Sequence, residues 1–198
     1  KKRQEKIVEI ILDEKKVTVA RLSELLDVSN VTIRKDLTSL SEQGIIKRTH
    51  NYAEIMDYDN ISGKLAYHFK EKSAIAAAAV DLVSDGETLM IESGSCCAIF
   101  AKELANQREN MTVITNSIFI ADYIGYKPDF QIILPGGILQ QRSQALVGPL
   151  IEETVNKYHV DKMFIGTDGY SPQWGFSNKD HLRAEAVRNM SNNADKVI

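Results

Sequence analysis

The sequence predicts a two-part α/β chain in which a small three-helix head precedes a larger body of alternating strands and helices. Three observations carry this. Over the first fifty residues, apolar side chains recur at helical spacing in three short runs: within Arg3 to Leu12, at Leu22, Leu25 and Leu26, and within Asn30 to Gln43. From residue 88 onward, short strand-like runs alternate with helical ones, and each strand run is closed by Gly, Ser, Thr, Asn or Asp. Charge divides in the same way. Residues 1–50 hold 11 Lys and Arg against 8 Asp and Glu, a net of +3, in a chain of 198 residues whose net charge is −3. The body therefore carries −6. A basic head on an acidic body is the asymmetry expected when one part alone meets an anionic polymer. The balance of 43% hydrophobic and 26% charged residues excludes disorder, collagen-like repetition and low complexity.

In the head, Ile7, Ile10 and Ile11 mark the inner face of a first helix. Val17-Thr18-Val19 reads as a brief strand or a cap, with Thr18 placed to accept a backbone N–H from a second helix whose inward residues are Leu22, Leu25 and Leu26. A tight turn at Asp27-Val28 follows. Ser29 then caps a third helix that turns Ile33, Leu37 and Leu40 inward, and Gly44 ends it. The opposite face presents Asn30, Val31, Thr32, Arg34, Lys35 and Thr38, the side-chain types that read base edges and grip phosphates in a major groove. A helix, a short turn and a second helix with a polar N-terminal face make a helix-turn-helix. The strand-like Ile45 to His50, with Lys47 and Arg48 adjacent, fits a wing that touches the DNA backbone. The residues alone leave a second reading open, a small helical bundle with a solvated charged face. The winged head is read as residues 1–53, followed by a linker over 54–70 and the body over 71–198.

In the body, four apolar runs, Thr88 to Ile91, Thr112 to Ile114, Gln131 to Leu134 and Lys162 to Ile165, lead into small polar residues. Helical segments lie between several of them, notably Cys97 to Leu104, Phe119 to Tyr123 and Ile151 to Lys157. This alternation predicts a largely parallel, three-layer, Rossmann-like sheet, in which ligands bind beyond the carboxyl ends of the strands. Gly94 and Ser95 precede a helix starting near Cys96, so its backbone N–H groups and dipole suit a phosphate. Gly136 and Gly137 allow a close backbone approach, and Asp168 suits sugar hydroxyls. The competing reading is that these are simply good turn residues. Lys179 is a candidate phosphate partner in a loop, and Arg142 stands in a polar stretch as either a ligand clamp or a surface residue. Trp174 beside Gly175 reads as packing.

Two adjacent cysteines, Cys96 and Cys97, make no disulfide framework, and neither they nor the four histidines show metal-site spacing, so no metal and no cofactor are expected. Such cysteine usage suits a reducing cytoplasm. The apolar stretch Ile75 to Val80 is too short to span a bilayer, and Lys1-Lys2-Arg3 is not followed by a signal-peptide apolar region, so no membrane partner is expected. The chain opens without Met and stops at Lys196-Val197-Ile198, which reads as the start of a strand; both ends are read as trimmed.

The run Val28-Ser29-Asn30-Val31-Thr32-Ile33-Arg34-Lys35-Asp36-Leu37, with Leu40, Glu42, Gly44 and Arg48-Thr49-His50 behind it, closely resembles the winged-helix signature of the DeoR family of bacterial transcriptional regulators. One departure is Asn51-Tyr52-Ala53, where the family usually has Gly-Gly-Ala after the wing His. The body resembles the family's sensor domain, whose fold is similar to sugar-phosphate isomerases. The matching pieces include Asp85-Gly86, Ser93-Gly94-Ser95, Thr115-Asn116-Ser117, Gly136-Gly137, Val147-Gly148-Pro149, Gly166-Thr167-Asp168-Gly169, Gly175-Phe176-Ser177 and Glu185-Ala186. A second departure is Glu92-Ser93-Gly94-Ser95-Cys96, where the family usually has Asp-x-Gly-Thr-Thr.

The resemblance implies a repressor of a carbohydrate-metabolism operon that binds double-stranded operator DNA as a homodimer or homotetramer. Its DNA contacts would come from Thr18, Ser29, Asn30, Val31, Thr32, Arg34, Lys35, Thr38, Lys47, Arg48 and His50. A phosphorylated sugar would sit against Glu92, Gly94, Ser95, Cys96, Thr115, Asn116, Gly136, Gly137, Asp168, Gly169, Lys179 and Glu185. The rival reading is a sugar-phosphate isomerase with Asp168 or Glu185 as its proton-transfer base.

Overall fold

A computed structural model describes residues 2–55 and 61–198 and divides the chain between residues 72 and 73 into two compact units. The first opens with α1 (Lys2–Glu14), β1 (Lys16–Thr18), α2 (Val19–Leu26) and α3 (Asn30–Glu42). A core of Ile7, Val8, Ile11, Leu22, Ile33, Leu37 and Leu40 holds the three helices together. The helix starts form where the capping hydroxyls stand. Thr18 Oγ1 accepts from the Arg21 N–H at 3.2 Å and Ser29 Oγ from the Thr32 N–H at 3.3 Å. Gly44, just past α3, takes a left-handed φ of +64° and lets the chain reverse into the wing. Leu25 is not part of the core; it is 44% exposed, because the eight-residue α2 turns Val19 and Leu22 inward.

The wing strands β2 (Ile46–Arg48) and β3 (Tyr52–Ile55) pair antiparallel, and β1 adds to the far edge of β3 in the order β1-β3-β2. Residues 54 and 55, read from sequence as the start of a linker, instead complete β3, with Glu54 opposite both Lys16 and Lys47. Further along the same stretch lie α4 (Ile61–Ala66) and the start of α5 (Phe69–Val80). Asp57, Tyr58, Asp59 and Asn60 of that reading lie outside the described residues.

The second unit is built on a five-stranded parallel sheet of β4 (Thr88–Ile91), β5 (Thr112–Thr115), β6 (Gln131–Ile133), β9 (Val160–Phe164) and β12 (Ala194–Val197), in the order β12-β9-β4-β5-β6. The helices are α6 (Ser95–Gln107), α7 (Ile118–Ile124), α8 (Pro149–Val155) and α9 (His181–Ser191). Strand alternation sorts the layers. Met90, Ile114 and Met163 pack with Ile151 and Val155 of α8 and with Ala186 and Met190 of α9. Phe164, the next residue along β9, turns to the other face and meets Phe100 of α6 at 4.2 Å between ring centroids. The chain leaves β4 in one direction through β5 and β6, then returns to its other side as β9 and β12. The gap between the carboxyl ends of β4 and β9 is therefore the sheet's switch point.

Two small hairpins lie outside this sheet and outside the sequence reading: β7 (Ile138–Gln140) with β8 (Ala145–Val147), and β10 (Gly169–Ser171) with β11 (Gly175–Ser177). Strands of three residues show no readable period. The first hairpin explains Gly137, whose added Cβ would lie 2.6 Å from the Val147 carbonyl oxygen. The close approach that this glycine permits is to the protein's own backbone.

Candidate nucleic-acid interface and ligand crevice

On α3, at about 100° per residue, Asn30, Val31, Arg34, Lys35 and Thr38 fall within one arc of about 140°, and all five are exposed. The opposite side is core, closed by a buried carboxylate: Asp36 accepts from Arg3 Nε at 2.5 Å and Nη2 at 3.3 Å, which ties α1 to α3. That bond also holds the Arg3 guanidinium above its ordinary range. Arg34 and Lys35 make no ion pair among the described residues, so their charges face outward. Ser29 and Thr32 are engaged at the helix start, with their hydroxyls 3.0 Å apart. They and Thr18 act first as caps, which leaves helix N-termini and hydroxyls turned toward any approaching phosphate.

The wing cations are not free. Arg48 Nη1 donates to the Arg34 carbonyl at 3.2 Å and to Thr38 Oγ1, and Thr38 in turn donates to the same carbonyl at 2.8 Å. Lys47 Nζ lies 3.2 Å from Glu54 Oε1. The wing is thus fastened to α3 and to its own partner strand. At its tip, the Asn51 main-chain carbonyl accepts from the Val19 N–H at 3.1 Å, which ties the wing to the start of α2, and His50 is exposed. A hollow of about 360 Å³ between wing and helix is lined by Thr38, Ser41, Glu42, Arg48, Thr49 and His50.

The second unit builds its crevice at the switch point. Glu92, the residue after β4, is fully buried. Its Oε1 accepts from Arg183 Nη2 at 2.8 Å and from Ser93 Oγ at 3.1 Å, and its Oε2 accepts from the Gly166 N–H at the end of β9 at 3.2 Å. The Arg183 Nη2 also donates to the Ser93 carbonyl at 2.8 Å. Burial pushes the Glu92 carboxyl up from the usual carboxylate range, against the pull of Arg183. Burial also opposes the charge on Arg183, but Glu92, helped by Asp168 and Asp180, holds it above its ordinary value. Two residues after Glu92, Gly94 caps α6 without any side-chain bond, so the start of that helix turns backbone N–H groups into the crevice.

The residues read from sequence as ligand contacts fall into two groups. Gly94, Ser95 and Cys96 at the start of α6 stand together, as do Asp168, Gly169 and Lys179, where Asp168 Oδ2 accepts the Lys179 N–H at 3.0 Å. Thr115 and Asn116 turn inward. Both are fully buried; Asn116 Oδ1 accepts from the Ser93 N–H at 3.0 Å, Asn116 Nδ2 donates to the Leu146 carbonyl at 3.1 Å, and Thr115 Oγ1 accepts from the Ser117 N–H at 3.2 Å. They brace the loops. Gly136 and Gly137 serve the β7–β8 hairpin, where a Cβ on Gly136 would already press on Leu150 at 3.3 Å. Glu185 lies about 200° around α9 from Arg183 and is exposed, away from the Glu92 group. Cys97 is buried beside Glu92 and its thiol is pushed well above the ordinary range by burial, then by Glu92, so the helix start does not activate it.

Arg183 is the functional candidate that the sequence reading passed over. The signal was present: Arg183, Ala186, Val187 and Met190 form an i, i+3, i+4, i+7 stripe on α9, and a cation at the head of an apolar stripe needs an internal partner. Among the described residues, no three His, Cys, Asp or Glu side chains gather as a metal site, and no helix is long and apolar enough to cross a membrane.

A winged helix with an exposed polar recognition face, followed by a parallel α/β unit with a crevice at its switch point, defines a DNA-binding regulator with a sensor domain. The chain belongs to the DeoR family: residues 3–58 match the DeoR-like helix-turn-helix domain and residues 67–198 the DeoR C terminal sensor domain. It is 32% identical over 200 residues to the HTH-type transcriptional regulator GolR of Listeria innocua, covering 99% of this chain and 78% of that protein. It is 30% identical to the putative aga operon transcriptional repressor of Escherichia coli O157:H7, covering 99% and 75%. Among solved structures, ribose 5-phosphate isomerase A of Methanocaldococcus jannaschii aligns over 65% of this chain and 50% of its own length at 18% identity, with a TM-score of 0.45. The relatives are named as regulators and repressors, and the chain is a transcriptional regulator of this family.

Proposed function

We propose that the chain represses a carbohydrate-metabolism operon and that a phosphorylated sugar bound in the crevice of the second unit controls it. The observation that carries this reading is the uncapped start of α6 at the switch point of a sensor-domain sheet. Backbone N–H groups there supply local positive potential to an otherwise acidic body. Asp168, exposed beside them, suits the sugar hydroxyls. The exposed arc of α3 reads the operator in the cytoplasm, and the wing flanks it. One winged module makes few base contacts, so the chain acts as a symmetric dimer or tetramer on repeated half-sites. The ligand changes operator affinity by binding one state of the chain more tightly than the other.

A thermal-shift screen over phosphorylated sugars tests the sensing half, because a ligand that binds only the folded state raises its stability with the logarithm of concentration over Kd. One member of the panel is expected to raise the melting temperature and to change the anisotropy of labelled upstream DNA at the same concentrations. A panel without any stabilising member would overturn the reading.

A further inference from the structure

We propose that Arg183 fixes the ligand's anionic group in the crevice and that Glu92 is the positioning residue that presents it. This rests on reading the crevice as the sensing site. The geometry carries it. An arginine kept only to neutralise a buried carboxylate would engage it as a fork, with two parallel N–H bonds onto the two oxygens. Here Glu92 uses Oε2 on the Gly166 N–H and offers Arg183 only Oε1. A single terminal nitrogen, Nη2, makes both bonds of the guanidinium, to Glu92 and to the Ser93 carbonyl. The Arg183 Nε is buried with no partner among the described residues, although its side chain is only 13% exposed. A guanidinium has five N–H donors, so most of this one's capacity is unused. It stands on Glu92 and Ser93, the two residues that lead into the uncapped start of α6.

The length of Glu92 suits this task. Where the family motif usually has Asp, the extra methylene carries the carboxylate to the end of β9 and to α9 together. The surrounding charges narrow the ligand class. Asp168 and Asp180, with Glu92, keep the Arg183 guanidinium charged. Asp180 is occupied as the cap of α9 and by Gln140 Nε2 at 3.0 Å. Asp168 stands exposed at the crevice mouth. The site therefore takes a molecule with an anionic group, seated on Arg183 and the helix start, and a hydroxyl-rich remainder toward Asp168. A sugar monophosphate fits this pattern.

The test uses the full chain with inorganic phosphate and then with any sugar monophosphate that stabilises the wild type. In E92Q/R183Q both charges are removed together, so no buried charge is left unpaired. This variant is expected to melt cooperatively and to keep operator affinity, but to lose at least tenfold in phosphate affinity. E92Q alone keeps the cation but removes the carboxylate that seats it, and is expected to bind phosphate more weakly than wild type and more tightly than E92Q/R183Q; a variant indistinguishable from wild type would remove Glu92 from the positioning role. If the double variant binds phosphate within twofold of wild type, Arg183 is structural only and the proposal falls. A wild type that ignores phosphate and every sugar phosphate overturns the crevice reading itself, which is a different failure. A readout independent of refolding is the Arg183 Nε–Hε resonance of the wild type. It should shift saturably with phosphate, and a resonance that stays still at saturation also overturns the assignment.

Discussion

The two binding faces of this chain are built on opposite plans. On the first unit, the functional side chains project: Asn30, Val31, Arg34 and Lys35 are exposed on α3, and the bracing is done behind them by Asp36, Arg3 and the core. On the second unit, the polar side chains at the strand ends turn inward. Glu92, Ser93, Thr115, Asn116 and Ser117 are all buried and bonded to the protein, and the crevice is left to backbone N–H groups, Asp168 and the spare donors of Arg183. The difference suits the two ligands proposed above. A helix that enters a groove needs reach, whereas a concave site for a small molecule needs loops that do not move, so its side chains are spent on holding backbone in place.

The strongest test of that contrast is R183A. It strands the fully buried Glu92 carboxylate, and breaking a buried pair in this way costs about 3–5 kcal/mol. Denaturant unfolding should show the loss in the second unit. A variant as stable as wild type would mean that Glu92 is held by Gly166 and Ser93 alone.

Asn116→Ala tests the bracing role one loop away. It leaves the Ser93 N–H and the Leu146 carbonyl without their side-chain partner, at about 1–3 kcal/mol for each buried group left unpaired. A ligand residue would behave differently. Sugar-phosphate binding lost at full stability would return Asn116 to the contact role that the sequence suggested.

How the sequence conveyed each plan follows from the same contrast. The period of α3, the caps Thr18 and Ser29 and the glycine after Gln43 place the recognition arc, because projecting side chains declare their face through the apolar stripe opposite. Thr88–Ile91 is legible as a strand for a similar reason: a continuous apolar run bounded by turn residues has few other uses. The crevice was harder to read. A polar residue at a strand end looks the same in sequence whether it faces a ligand or a neighbouring loop, and the burial of Thr115 and Asn116 becomes visible only in the fold. Gly137 shows the same limit, since a glycine in a sequence records that something comes close and not that it is the Val147 backbone. Arg183 was hidden because its partner Glu92 lies 91 residues away, and no local spacing connects them.

Arg34→Ala examines the projecting plan directly. If Arg34 contacts a base, operator affinity should fall by about 1–3 kcal/mol, read by anisotropy, while sugar-phosphate binding and the melting temperature stay unchanged. Arg34 makes no ion pair among the described residues, so its removal has no structural cost to confuse the result. Equal loss on operator and unrelated DNA would reassign it from base reading to the phosphate backbone.

The smallest expected effect separates the wing from the helix. Lys47 is paired with Glu54, but both are partly solvated, at 63% and 28% exposure, and such a pair contributes about 0.2–1 kcal/mol at most. Lys47→Ala should therefore leave the melting temperature nearly unchanged. Its effect belongs in the salt dependence. A lysine that exchanges Glu54 for a DNA phosphate releases one counterion, and its removal lowers the slope of log affinity against log salt by about 0.9. Arg48 is held differently, on the Arg34 carbonyl and Thr38, which are neutral acceptors that leave its charge intact. If Lys47→Ala leaves the slope unchanged, Lys47 stays with Glu54 on DNA and the wing's electrostatic contact is carried by Arg48; a drop near one unit places Lys47 on the backbone.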